Sequence, residues 1–372
     1  MKNSMKIISL FCLILSLSGS GLLAQAAKEK ESIQLAILLD TSSSMDGLIE
    51  QAKSQIWKIV NELATTKKNG MAPAIEVALY EYGNNGIPSG EGYIRMKVPM
   101  TRDLDKVSDE LFKLTTDGGD EYCGKVILSA VKGLNWSKNK NDLKVIIIAG
   151  NEPFSQGDVA YEKACKEAIS RGIIVNTIFC GDYKEGVETF WKKGADLADG
   201  KYMNIDQNQK IAAIEAPQDN DIIKLSEDLN KTYVAYGKAG VEKKERQALQ
   251  DANASSLNKE VAAQRALTKA SEQYENSSWD LVDAKKNKAL DMEKLKTEEL
   301  PAEMQKMNKK EREEYINKML TKRNDIQKKI QKLNDERQKY IEKERKKQSA
   351  DNTLDTAVLK TIKAQAAKKG FK

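Results

Sequence analysis

The sequence predicts an α/β fold: a Rossmann-like, doubly wound and mostly parallel sheet with helices on both faces, followed by a long α-helical hairpin or coiled-coil region. Apolar runs of strand length alternate with amphipathic helical stretches through the middle of the chain, and polar clusters fall where those strands end. From Gly237 onward the composition changes to a Lys-, Glu-, Gln- and Ala-rich tract with almost no Gly or Pro. Strands that are apolar throughout are covered on both faces, which marks a parallel sheet. Such sheets carry their functional loops at the carboxyl ends of the strands.

With 372 residues the chain can hold more than one domain. Residues 1–26 combine Lys2 and Lys6, an apolar stretch over 7–17 and the small-residue exit Ala24-Gln25-Ala26, the layout of a cleavable secretory signal. Cys12 follows Phe11, not a small residue, and is not read as a lipid-attachment cysteine. No later apolar run approaches the roughly 20 residues that span a bilayer. The mature chain is therefore expected to be exported, periplasmic or extracellular, without a transmembrane segment.

The first strand is expected over 33–39, followed at once by Asp40-Thr41-Ser42-Ser43-Ser44-Met45 and a helix over 48–65. Strands over 75–82 and 93–98 flank a turn at 83–92, and helical stretches cover 104–114 and 126–134. A nearly all-apolar strand over 144–149, a helix to Ser170, and strands over 173–180 and 202–205 come next. A helix over 222–236 closes a domain spanning 30–237. Trp57, spaced with Ile56, Ile59 and Val60, reads as core, as do Tyr80 and Tyr82.

Residues 238–350 read as a separate helical region. Met319, Ile326, Leu333 and Tyr340 are seven apart, and Ile316, Arg323, Ile330 and Arg337 form a partner row that two arginines weaken. Leu267, Tyr274, Leu281 and Leu295 make a less regular row. Leu300-Pro301 separates the two, and Pro suits a helix start, so an antiparallel hairpin with its second helix over 302–347 is predicted. Its expected role is spacing or homo-oligomerisation. Residues 351–372 read as a basic, frayed tail.

The 61 Lys and Arg against 55 Asp and Glu leave a formal charge of +6, too small an excess at this length to argue for nucleic acid. The absence of histidine removes every Ser-His-Asp, Cys-His and His-zinc arrangement. Export leaves Cys123, Cys165 and Cys180, an odd number. Either Cys165 pairs with Cys180 or all three are small buried hydrophobes.

Asp40, Ser42 and Ser44 place one carboxylate and two hydroxyls where the first strand ends. Oxygen donors suit a hard cation, Mg²⁺, Mn²⁺ or Ca²⁺. The same residue types are also favoured helix caps, so the cluster alone leaves both readings open. The order of elements around it, however, resembles the von Willebrand factor A domain, whose cation site is the metal-ion-dependent adhesion site. The resemblance runs from about Ile33 to about Tyr236.

That resemblance implies Asp40, Ser42 and Ser44 as ligands, joined by a Thr from a second loop and an Asp from a third. Here the second loop is Asp117-Gly118-Gly119-Asp120-Glu121, with Asp120 in place of the Thr. The third is Ala149-Gly150-Asn151-Glu152-Pro153, with Gly150 in place of the Asp. A carboxylate has moved from the third loop to the second if Asp120 or Glu121 turns inward, with Asn151 or Glu152 contributing through water; Glu152-Pro153-Phe154 would form the rim. The implied function is a non-enzymatic protein-binding, adhesion or assembly module with an unidentified protein partner. The alternatives are an architectural coiled-coil envelope protein with a vestigial site, or a metal-assisted hydrolase with a bound water as nucleophile.

Overall fold

The computed structural model describes residues 31–205, 214–291, 295–347 and 354–371. The expected export signal over 1–26, with Cys12, lies outside them. β1 (Ser32–Asp40) is completely buried. Its successive side chains point to opposite faces: Ile33, Leu35, Ile37 and Leu39 enter one core, Ala36 and Leu38 the other. Neither face of the strand meets water, and the run is apolar for that reason.

From β1 the chain passes through α1 (Ile49–Ala64) to β2 (Ala74–Tyr82) and turns back into β3 (Ile94–Thr101). Two helices, α2 (Leu104–Phe112) and α3 (Cys123–Gly133), lead to β4 (Leu143–Gly150), α4 (Tyr161–Ser170) and β5 (Ile174–Cys180). Two short helices that the sequence pattern did not announce, α5 (Tyr183–Glu188) and α6 (Trp191–Asp196), precede β6 (Tyr202–Ile205). The sheet order is β3-β2-β1-β4-β5-β6, with every pair parallel except β2 and β3. The winding reverses at β1, which has β2 on one side and β4 on the other. The loops after β1 and β4 diverge there and leave a crevice.

Cys180 belongs to the core under α1, whereas Cys165 belongs to the core on the opposite face of the sheet. The sheet stands between the two thiols, so the Cys165–Cys180 bond does not form; all three described cysteines are free and buried. Burial pushes the Cys165 thiol up to about 12.

The C-terminal part contains α7 (Asp219–Asn230), α8 (Gly237–Leu257), α9 (Lys259–Lys269), α10 (Leu281–Lys286), α11 (Ala302–Gln305), α12 (Lys309–Lys347) and α13 (Leu354–Lys368). The expected change to helix at Gly237 is present, but it is a change in composition and not in packing: Glu31–Lys372 is one compact unit. α8 and α9 lie on α2 and α1, and α13 lies on α1 and β6. Ala254, Val261, Ile362, Ala366 and Phe371 complete the core under α1. The tail expected to be frayed is thus a docked helix. Gln365 on α13 and Asn176 on β5 exchange side-chain amide hydrogen bonds at 2.8 and 2.9 Å, both buried.

The hairpin needs a second correction. Residues 271–280 carry no α-helix, which interrupts the Leu267, Tyr274, Leu281 row, and α12 begins at Lys309 after the short α11. Its 39 residues span about 58 Å. The row Ile316, Arg323, Ile330, Arg337 is its buried side, packed on α7, α9 and α10 of the same chain. The two arginines do not weaken this seam by facing apolar groups. Arg323 pairs with Asp280 and Asp283, each at 2.6 Å, and donates to the Thr232 carbonyl at 2.7 Å; Arg337 pairs with Asp219 at 2.6 Å. The row is thus buried against helices of the same chain. No helix among the described residues is long and apolar enough to cross a membrane.

Candidate metal centre

Asp40 is the last residue of β1, in register with Tyr82 on β2 and beside the end of β4. The strand ends there, and the backbone amide of Ser42 turns back to donate to Asp40 Oδ1 at 2.8 Å. This Asx-type turn fixes the loop and spreads Ser42 and Ser44 over the crevice. Their hydroxyls lie 2.9 Å apart. Ser44 Oγ donates to Asn151 Oδ1 at 2.9 Å, and Asn151 Nδ2 returns a bond to the Ser44 carbonyl at 2.9 Å. The first and third loops are therefore tied at the mouth, with Ser42 buried and Ser44 exposed.

Two glycines make room for the carboxylates. A Cβ at Gly83 would fall 2.7 Å from Asp40 Oδ1 and 2.9 Å from Glu121 Cγ, and its φ of +76 is a left-handed conformation that favours glycine. A Cβ at Gly150 would fall 2.5 Å from the Tyr82 hydroxyl and 2.8 Å from Asp40 Oδ2. The aspartate that the family carries at this position has no space here. Tyr82, which donates to the Ala149 carbonyl at 3.0 Å, occupies it.

The second loop resolves the choice between its two acids. Glu121 is buried beside Asp40 and Ser42, whereas Asp120 is exposed and accepts from the Tyr122 hydroxyl at 3.0 Å. Asp120 thus points away from the crevice, a correction to the expected ligand set, because Gly119 packs against the Gly83 carbonyl and sends the next side chain outward. Gln156, with its amide oriented to satisfy its neighbours, donates to Glu121 Oε2 at 3.0 Å. Gln156 carries no signal in the sequence pattern, because its role depends on how the third loop folds back. Glu152 is half-buried, and its carbonyl accepts from Trp191 Nε1 at 2.8 Å.

Asp40 is 0 % exposed, and its Oδ2 has no hydrogen-bond partner. Burial pushes its carboxyl up to about 7, against the opposing donors of Ser42 and of the Asn151 backbone, and the charge of Glu152 adds to the rise. Burial, followed by the charges of Asp40 and Glu152, pushes Glu121 up to about 7 as well. Among the described residues, no Lys or Arg is one of the groups acting on either acid. Two adjacent buried carboxylates with no cation hold protons or need a positive ion.

The donor set fits a hard divalent ion. With metal–oxygen distances of about 2.1 Å, neighbouring ligands of an octahedral ion lie about 3.0 Å apart. The Ser42–Ser44 spacing of 2.9 Å matches that edge. Asp40, Ser42, Ser44 and Glu121 are the side chains brought together, with Asn151 and Glu152 at the rim. Among the described residues no three His, Cys, Asp or Glu side chains form a metal-ligating group, so two carboxylates and two hydroxyls are what this crevice offers.

A doubly wound sheet with an Asp-x-Ser-x-Ser loop at its switch point defines a domain of the A type. The family model for the von Willebrand factor type A domain matches residues 34–214, and this part of the chain is such a domain. Among solved structures, similarity extends to the conserved hypothetical protein BatB from Bacteroides thetaiotaomicron, 17 % identical over 47 % of this chain and 90 % of that one, with a TM-score of 0.36. The SpRpn10 VWA domain is 17 % identical over 49 % of this chain and 91 % of its own, with a TM-score of 0.38. Proximal thread matrix protein 1 of the mussel byssus, in a structure with a zinc-occupied adhesion motif, is 12 % identical over 48 % of this chain and 43 % of its own, with a TM-score of 0.35. No curated protein matches the chain in sequence.

Proposed function

We propose that the chain is an exported, non-enzymatic protein-binding module whose A domain engages its partner through a divalent cation held by Asp40, Ser42, Ser44 and Glu121. One observation carries the reading: Asp40 Oδ2, fully buried and without a hydrogen-bond partner, lies beside a second buried carboxylate and two hydroxyls at the spacing of metal ligands. Leaving such a group unpaired costs several kcal/mol on the order of a broken buried ion pair, and a bound cation offsets that cost. The von Willebrand family supports interaction over catalysis. A bound ion would supply an electrophilic position for an oxygen of the partner. Mg²⁺ fits best by spacing and donor type, with Mn²⁺ and Ca²⁺ next. The secretory layout of residues 1–26 supports export.

Thermal melting of the mature chain in Mg²⁺, Mn²⁺, Ca²⁺ or chelator tests the site. A cation at 100 times its Kd should add about 2.7 kcal/mol of stability, and Asp40→Asn should abolish the response. An unchanged midpoint in all four conditions would remove the reading.

A further inference from the structure

The net charge of the chain is concentrated in one element. α12 carries 15 Lys and Arg against 8 Asp and Glu, which leaves 46 against 47 in the rest of the chain. The formal excess of +6 therefore comes from a single helix of 39 residues. Its arginines and lysines are placed differently. Arg323 and Arg337 are buried in ion pairs, and Arg312 donates to the Met304 and Gln305 carbonyls at 3.3 and 3.4 Å. Lys318, Lys322, Lys329, Lys332, Lys339 and Lys343 are exposed, and none of the six is in an ion pair among the described residues.

These six recur at intervals of 4, 7, 3, 7 and 4 residues, which keeps them on one side of a helix with 3.6 residues per turn. That side lies opposite the buried row Ile316, Arg323, Ile330 and Arg337. Between Lys318 and Lys343 the acids on the same side are Asp325 and Glu336. The row runs for about 38 Å at 1.5 Å per residue. α7 packs on the flank of α12 and adds to it. The bond from Lys231 holds the Asp228 carboxyl below its ordinary value, and the charges of Lys322 and Lys224 lower it further, so lysines of both helices gather around one acid.

We propose that this lysine row is an adsorption surface for bilayers rich in anionic phospholipid, held by charge alone. An uninterrupted helix presenting its cations in a line is complementary to a flat negative surface, and each Lys near such a surface contributes to binding. Lysine supplies a compact charge without the planar fork that reads a phosphate or a base edge. The row has no exposed aromatic ring on which a nucleic-acid base would stack. None of the large apolar side chains exposed among the described residues lies on α12, so the helix rests against headgroups and has nothing to insert between acyl chains. The crevice takes no part, and the proposal stands apart from the cation reading.

The test is co-sedimentation of the mature chain with vesicles of phosphatidylcholine alone or mixed with phosphatidylglycerol. The chain should bind the mixed vesicles in about 0.1 M salt and leave them in about 1 M salt, where the Debye length falls from about 10 to about 3 Å. It should not bind phosphatidylcholine alone. At about fivefold per lysine, the triple variant Lys322→Gln, Lys329→Gln, Lys332→Gln should bind about 100-fold more weakly, with the melting midpoint of the parent. A second triple, Lys163→Gln, Lys166→Gln, Lys201→Gln, removes the same charge from exposed positions of the A domain and should bind as the parent does. Equal weakening in both triples would assign binding to net charge and overturn the proposal. So would no binding to the mixed vesicles, binding that survives high salt, or an α12 triple that binds as the parent does. Tighter binding of the parent to double-stranded DNA than to the mixed vesicles, at equal phosphate concentration, would assign the row to a soluble polyanion and overturn the proposal too.

Discussion

Between β1 and its neighbours the side chains that meet are Leu35, Ile37, Val77, Leu79, Val145 and Ile147; between α9 and the helices beneath it they are Glu260, Arg265 and Thr268 against Lys58, Asp105 and Asn61. Both contacts are buried, but the sheet meets through apolar side chains, whereas the α9 layer adds buried ionic and polar pairs to the apolar contacts of Val261, Ala263, Ala266 and Leu267. In the sheet, apolar burial at about 25 cal/mol per Å² supplies stabilisation without direction. In the helical layer, Arg265 bridges Asp105 and Asp251, and Lys269 reaches Asp251, Asn230 and Ser226. Such ion pairs repay their desolvation only when every partner is in place, so they define one docking geometry and penalise the others. Lys269 is 0 % exposed, and burial lowers its amine to about 8 in spite of the adjacent Asp251.

The sharpest way to break this contrast is Arg323→Ala on α12. It strands Asp280 and Asp283 without their cation and should cost about 3–5 kcal/mol in urea unfolding. Leu38→Ala, in the apolar sheet, should cost about 3 kcal/mol by leaving a cavity. A small loss for Arg323→Ala beside a full loss for Leu38→Ala would mean that water enters the helical seam and that the comparison fails.

The crevice gives a third measurement, through pH. Asp40 and Glu121 are raised to about 7 from an unfolded value near 4, so the folded chain binds more protons between those limits. In chelator, their contribution to stability is complete below about pH 4 and is lost as pH rises through about 7. A cation must displace those protons. Its affinity should fall about tenfold per carboxylate for each pH unit below 7, or about 1.4 kcal/mol, by calorimetric titration. Asp40→Asn in chelator should flatten the stability profile.

Asn176→Ala comes next, leaving Gln365 unpaired where α13 meets the sheet; about 1 kcal/mol is expected from the melting midpoint, together with faster hydrogen exchange over α13. Least affected should be Lys113→Ala, which removes an exposed pair with Asp109 and should cost about 0.3 kcal/mol. A larger effect there would place structural weight on the surface of the A domain that this contrast does not assign to it.

Much of the sheet was legible because a strand buried on both faces has to be apolar along its whole length, and chain order then places the loops. Asp40, Ser42 and Ser44 are local to one such strand end, and their meeting follows from a single turn. Glu121, Gln156 and the exclusion of an aspartate at Gly150 were not legible, since each depends on which way a loop from another strand turns and on the Tyr82 ring between them. The helical region misled for a related reason. Heptad spacing reports that one side of a helix is covered but does not say by what.

The sequence by itself determined the alternating α/β order, the oxygen-rich end of β1 and the change to helix at Gly237. Only the tertiary structure decided that α12 and α13 close onto the same chain, that Arg323 and Arg337 are docking points, and that Glu121 and not Asp120 faces Asp40. Periodicity and local hydrogen bonding are properties of neighbours along the chain. A buried charge is acceptable only where a distant residue supplies its opposite, and that pairing exists only after folding.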